Sequence, residues 1–321
     1  MLIDFIALAI GLVALVLAAN WFVEGTSSIA RNLGVSPLLV GLTIVGLGTS
    51  APEILVAFLA SVQGNPGLAI GNAIGSNIAN IGLILGCTAL ISPLAFRSGL
   101  LKRELPILML ISIFCYVLAL DGLSFFDGII MLVALALFLF WLISSALVDR
   151  RQDVLAQQME ADIPETTPNS KAWIYFAVGL IGLLLSSKVL VWAAVNIAQT
   201  MGVSDLVIGL TIIALGTSLP ELAASISSVL KGEDDLAVGN VIGSNVYNLL
   251  AVYSLPALIA PGPVGATLIN RDFPVLLGMT GVLFILGVGF SQAGNINRWE
   301  GSVLLSAYLF YQWTIFQSTA L

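Results

Sequence analysis

Long apolar runs separated by very short polar breaks set the pattern of this chain. Ten runs stand out, near 2–20, 37–62, 68–92, 105–120, 126–147, 172–197, 205–230, 236–259, 273–290 and 300–318. Each approaches the roughly 20 residues that a helix needs to cross a bilayer core. None has the strict two-residue alternation of a barrel strand. The pattern predicts an all-α membrane protein of ten transmembrane helices. The first run has no basic leader and no clear small-residue cleavage site in "LVLAANWFVEGTSSIARNLG", so it reads as a retained span and not a cleaved signal.

The polar residues inside these runs recur. "VSPLLVGLTIVGLGTSAPEILVAFLASVQGNPGLAIGNAIGSNIAN" (35–80) aligns without a gap to "VSDLVIGLTIIALGTSLPELAASISSVLKGEDDLAVGNVIGSNVYN" (203–248), 168 residues later, with about half the positions identical. The register persists to "RELP" (103–106) and "RDFP" (271–274). The expected organisation is a first five-helix repeat over 1–148, a polar cytoplasmic linker over 149–171 and a second five-helix repeat over 172–321. Five spans is an odd number, so the second copy must enter the membrane from the opposite side.

Loop charge tests this inversion, because short cytoplasmic loops carry the excess of Lys and Arg. With the N-terminus outside, Arg31, Arg97, Lys102, Arg103, Arg150, Arg151, Lys171, Lys231 and Arg298 fall on the cytoplasmic side, and only Lys188 and Arg271 fall outside. Nine against two supports two inverted-topology repeats with both termini extracytoplasmic. Inverted repeats are common in secondary transporters, whose sites form near the midplane where the repeats meet. A duplicated scaffold without transport is the plainer alternative.

Composition narrows the chemistry. The chain is 59% hydrophobic and 9% charged, with a mean hydropathy of +1.06; a soluble domain carries about a quarter charged residues. The net charge of −7 lies mainly in loops, and no basic patch points to nucleic acid. Cys87 and Cys115 lie in apolar spans and read as packing residues. There is no histidine, which removes the commonest catalytic base and transition-metal ligand. A cation site here must be built from oxygen, which favours hard ions such as Ca²⁺, Na⁺ or Mg²⁺.

The phrases "GTSAPE" (48–53) and "GTSLPE" (216–221) place Glu53 and Glu221 inside spans, where a charge costs at least about 2.5–3.5 kcal/mol. Proline lacks an N–H and clashes with the carbonyl four residues back, so each helix should kink or open around the motif. Thr49 and Glu53 share a face, as do Thr217 and Glu221. The next span of each half carries "GNAIGSNIAN" (71–80) or "GNVIGSNVYN" (239–248). Asn72, Ser76 and Asn80 form one stripe, and Asn240, Ser244 and Asn248 its copy. Alone, each stripe reads as helix–helix glue, and its glycines as close-packing positions. Joined to a carboxylate motif and duplicated, the four phrases predict an oxygen cage with two acids. Ca²⁺ suits such a cage better than Mg²⁺, which dehydrates reluctantly.

These paired phrases resemble the two α-repeats of the cation/Ca²⁺ exchanger superfamily, in particular its prokaryotic sodium/calcium exchangers, over the whole chain. The resemblance implies ion ligands at Thr49, Ser50, Glu53, Ser76 and Asn80, and at Thr217, Ser218, Glu221, Ser244 and Asn248. Backbone carbonyls of Gly46 and Ala214 would assist Na⁺. It further implies Ca²⁺/Na⁺ antiport by alternating access, with spans 1 and 6 sliding past a rigid core. No resident cofactor is implied, since Ca²⁺ and Na⁺ are cargo. The expected setting is the lipid bilayer of a prokaryotic inner membrane, and the expected state a monomer. Relatives with aspartate at the position of Asn248, including potassium-dependent ones, have a third acid; its absence here weakens the case for K⁺ co-transport.

Three other readings stay open on the residues alone. A Ca²⁺/H⁺ or K⁺-dependent exchanger would use the same cage. A channel would use it as a filter, although inverted halves around one buried site favour exchange. An intramembrane enzyme would need a nucleophile motif or a metal-binding histidine, and neither occurs. Glu24 is expected to be interfacial, "KGEDD" (231–235) a solvated turn, and the linker acids Asp153, Glu160, Asp162 and Glu165 lack the spacing of a calcium-binding loop.

Overall fold

The computed structural model describes residues 2–95, 101–157, 168–201, 214–288 and 295–320, which are predominantly helical. In the first half, α1 (Leu2–Leu33) is followed by α2 (Pro37–Thr49) and α3 (Ala51–Val62), which meet at a 43° bend. Then come α4 (Pro66–Ile91), α5 (Leu101–Leu120) and α6 (Phe125–Gln157). The second half has α7 (Asn169–Thr200), α8 (Ala214–Thr217), α9 (Leu219–Leu230), α10 (Asp234–Ile259), α11 (Leu268–Asp272 running into Phe273–Val288) and α12 (Arg298–Ala320). Among the described residues, seven helices are long and apolar enough to cross a membrane, or eight if α2 and α3 form one span. The chain is an all-helical membrane protein. The expected span near 205–230 lies partly outside the described residues.

Local chemistry explains the breaks. Pro37 and Pro66 open their helices, where a missing N–H is harmless. The preceding residues cap them: Ser36 Oγ accepts from the Leu39 amide and Asn65 Oδ1 from the Leu68 amide, both at 3.3 Å. Gly64 (φ 76°) and Gly232 (φ 75°), repeat mates, turn the chain after α3 and α9 in the left-handed conformation that glycine favours. Helix α6 continues to Gln157, and α7 starts at Asn169; 158–167 lie outside the described residues.

Helices α1 and α7 run antiparallel in close contact. Asp4 accepts from Asn196 Nδ2 at 3.2 Å near one end, and Asn32 Nδ2 donates to Asn169 Oδ1 at 3.0 Å at the other. Between these ties the backbones approach until side chains are excluded. A Cβ on Gly179 would lie 2.3 Å from the Phe22 amide nitrogen, and one on Gly25 equally close to that of Phe176. At about 1.5 Å per residue, these 32-residue helices reach about 48 Å, longer than the roughly 30 Å hydrocarbon core, so they must tilt or project beyond it.

The two halves interlock. The last turn and a half of α4 (Gly86–Ile91) packs on α12, and its repeat mate in α10 (Ser254–Ile259) packs on α6. Among the described spans α4 and α10 are the most enclosed, and one apolar cluster runs continuously through both halves. At one end of the bundle Leu94–Ala95 (β1) pairs antiparallel with Asn295–Ile296 (β2). A second pairing joins Leu123 to Gly262.

Candidate functional site

The bent helices α2–α3 and α8–α9 bring the two carboxylates into the interior. The first breaks at Ser50 (φ −79°, ψ 5°) and the second at Ser218 (φ −91°, ψ 5°), each one residue ahead of the helix that carries the proline. Glu53 and Glu221 therefore sit in the first turns of α3 and α9, and each is only 1% exposed. Thr49, Ser50, Ser76, Asn80, Thr217, Ser218, Ser244 and Asn248 are also buried.

The contacts are reciprocal between repeats. Ser218 Oγ donates to Glu53 Oε1 at 3.5 Å, with Thr217 beside the same acid. Glu221 in turn faces Thr49 and Ser50 of the first half and lies within electrostatic range of Glu53. Three of the four carboxylate oxygens, Glu53 Oε2 and both of Glu221, have no hydrogen-bond partner. Neither have Ser50 Oγ, Asn80 Oδ1 or Asn248 Oδ1. Buried polar atoms normally find partners, so six partnerless oxygens within the duplicated motifs are a marked departure. Among the described residues no group of three or more His, Cys, Asp or Glu assembles; this centre has two acids among neutral oxygens.

Helix α10 supplies the support. Thr49 Oγ1 lies 3.1 Å from both the Val45 carbonyl and Asn240 Oδ1, and 3.3 Å from Ser244 Oγ. Ser244 Oγ is also 3.5 Å from the Gly46 carbonyl. Asn240 Nδ2 donates to the Glu221 carbonyl at 3.3 Å and to Ser225 Oγ at 3.1 Å. Asn240 thus ties α9 to α2, the glue role open to these stripes. Close approach allows these contacts: a Cβ on Gly243 would sit 2.7 Å from the Leu42 carbonyl oxygen, and one on Gly239 2.6 Å from that of Leu38. Ala214 begins the described part of α8, which packs on the Pro66–Ala79 part of α4.

Both stripe helices widen at the same point. A π-helical segment starts at Asn80 (Asn80–Leu85) and at its mate Asn248 (Asn248–Val252), and another, Gly41–Val45, lies in α2. Such segments loosen the backbone hydrogen-bond ladder and recur at functional sites. The residues singled out from the sequence omit Asn77 and Asn245, which are fully buried and join α4 to α10. Their presence in both copies of "GSN" was the available signal.

Away from the centre, α1 is tied to the end of α9. Ser227 Oγ donates to Asn20 Oδ1 at 2.9 Å, and Lys231 Nζ to the Asn20 carbonyl at 2.7 Å. Lys231 pairs with Glu24 at 3.9 Å and Arg31 with Glu233 at 3.2 Å. Glu24 is accordingly a surface residue. The turn at 231–235 is an ion-paired contact, with Asp234 buried at its end. Helix α1 packs along α9, whereas among the described residues α7 makes no comparable contact with α3, the repeat mate of α9.

Fold and centre together define a multi-pass helical membrane protein with a duplicated, buried, oxygen-rich core. Known proteins place it further. The family model for sodium/calcium exchanger protein matches residues 3–144 and 171–317, and the chain belongs to that family. It is 46% identical over 319 residues to the putative antiporter CaxA of Alkalimonas amylolytica, covering 99% of this chain and 100% of that protein. It is 40% identical to the inner membrane protein YrbG of Escherichia coli, covering 93% and 96%. A solved structure of the sodium-calcium exchanger NCX_Mj, soaked with Na⁺ and Sr²⁺, matches with a TM-score of 0.83 at 34% identity, covering 96% of this chain and 97% of that one.

Proposed function

We propose that the chain is a secondary antiporter that exchanges Ca²⁺ for Na⁺, with both ions held between Glu53 and Glu221. The observation that carries this is the set of buried oxygens without hydrogen-bond partners on the two acids and on Ser50, Asn80 and Asn248. Taking a carboxylate out of water costs several kcal/mol, even after relaxation. A divalent cation offsets that cost and gives the oxygens of Ser50, Asn80 and Asn248 a partner. Ca²⁺ accepts six to eight oxygens in flexible geometry. The full ligand set is Thr49, Ser50, Glu53, Ser76, Asn80, Thr217, Ser218, Glu221, Ser244 and Asn248, with the carbonyls of Gly46 and Ala214. Ca²⁺ and Na⁺ compete for the same acids, and that competition couples their movements.

The wider reading is a ten-span protein with inverted repeats over 1–148 and 172–321, joined through 149–171, in a prokaryotic inner membrane with both termini outside. The antiparallel run of α1 and α7 supports the inversion. In this topology the contacts of Asn20, Glu24 and Arg31 with Ser227, Lys231 and Glu233 close the cytoplasmic end. The difference between α1 on α9 and α7 on α3 supports alternating access, in which α1 and α7 move as a pair. The test is Na⁺-driven uptake of ⁴⁵Ca²⁺ into vesicles carrying the purified protein. Glu53→Gln should abolish uptake while the protein remains folded, and retained exchange would overturn the site. Replacing the Na⁺ gradient by a pH gradient separates this reading from proton coupling.

A further inference from the structure

We propose that Asn245 is a positioning residue that turns the amide of Asn80 so that its oxygen, and not its nitrogen, faces the transported cation. This rests on the ion site proposed above. Asn80 Nδ2 donates to Asn245 Oδ1 at 3.0 Å, and Asn77 Nδ2 donates to the Asn245 backbone carbonyl at 3.2 Å. All three side chains are 0–1% exposed. Asn245 therefore accepts from α4 at both its backbone and its side-chain carbonyl, while its own Nδ2 has no partner.

An amide offers one acceptor oxygen and one NH₂ group at opposite corners. With the NH₂ of Asn80 held by Asn245, its Oδ1 must point elsewhere, and that oxygen is buried without a partner. A hard cation accepts only the oxygen; the rotated amide would present positive hydrogens to it. A carboxylate at position 80 would be different, because it presents an oxygen in either rotation. Asn245 would then have nothing to orient.

That difference supplies the test. Ca²⁺ binding to detergent-purified protein, and the KM for Ca²⁺ in Na⁺-driven vesicle uptake, are measured for wild type, Asn245→Leu, Asn80→Asp and the double variant. Asn245→Leu should raise Kd and KM about tenfold, the scale of one lost hydrogen bond and its orientation, with little change in maximal rate. In the Asn80→Asp background the same substitution should change Kd less than about twofold. Equal weakening in both backgrounds, or none in either, would overturn the proposal. If wild type and Asn80→Asp both bind Ca²⁺ and only the coupling is missing, the ion site survives and the positioning role does not. If neither binds Ca²⁺, both readings fall. Should Asn245→Leu fail to fold, Asn245→Ala removes the same acceptor with less bulk and carries the same comparison.

Discussion

Replacing Glu221 by Gln separates what the proposed ion site contributes to folding from what it contributes to binding. The substitution keeps the shape of the side chain and removes its charge. Two unit charges 4 Å apart attract by about 4 kcal/mol at an effective dielectric constant of about 20, so a divalent ion and one carboxylate attract by about 8 kcal/mol. The Gln oxygen can still ligate and recovers part of this. A net loss of about 4 kcal/mol remains, about a thousandfold in Kd. At a Ca²⁺ concentration 100-fold above the wild-type Kd, binding stabilises wild type by about 2.7 kcal/mol and the variant by less than about 0.1 kcal/mol. Without Ca²⁺, both carboxylate oxygens of Glu221 are buried and unpartnered, so the variant should unfold at the same temperature as wild type or higher. Thermal unfolding in detergent with and without Ca²⁺, paired with calorimetric titration, reads both quantities. A variant that keeps its Ca²⁺-induced rise in Tm, or unfolds several degrees lower without the ion, would refute the assignment of Glu221 to the cation.

Three further outcomes are expected. Gly243→Ala places a methyl against the Leu42 carbonyl and should cost about 1–3 kcal/mol of stability by overpacking, together with most transport, because it pushes Thr49 from Ser244; thermal unfolding and vesicle flux check both. Lys231→Ala weakens the tie of α9 to Asn20 and Glu24 and should shift access toward the cytoplasmic side by at most about 1 kcal/mol, read as faster labelling of a cysteine introduced on the cytoplasmic half of α1. Exchange should be insensitive to K⁺, since Asn248 leaves the centre with two acids; a K⁺ requirement in vesicle flux would count against the two-acid cage.

The duplicated phrases make much of the centre legible from the amino-acid order alone. Residues that recur in both copies and are too polar for their surroundings, Glu53, Glu221, Asn80 and Asn248 above all, must have a reason to be buried. The breaks at Ser50 and Ser218 are readable too, since proline cannot continue the ladder through its own position. The split of the stripe residues into roles is not readable. Asn72 and Asn240 occupy equivalent positions, yet Asn240 bonds Glu221 and Ser225 and lies beside Thr49, while Asn72 Nδ2 has no partner. Identical residues in identical motifs acquire different neighbours when the two halves stand in different arrangements.

By itself the sequence determined the medium, the duplication and the chemistry of the core. Hydropathy dictates burial in lipid, and an acid repeated in an apolar helix demands a partner wherever the chain folds. Only the tertiary structure decided which oxygens meet across the halves, how closely α2 approaches α10, and that α1 packs along α9 while among the described residues α7 makes no comparable contact with α3. Those outcomes depend on distances between segments more than a hundred residues apart. A linear pattern carries periodicity along one helix but not the packing that sets one helix against another.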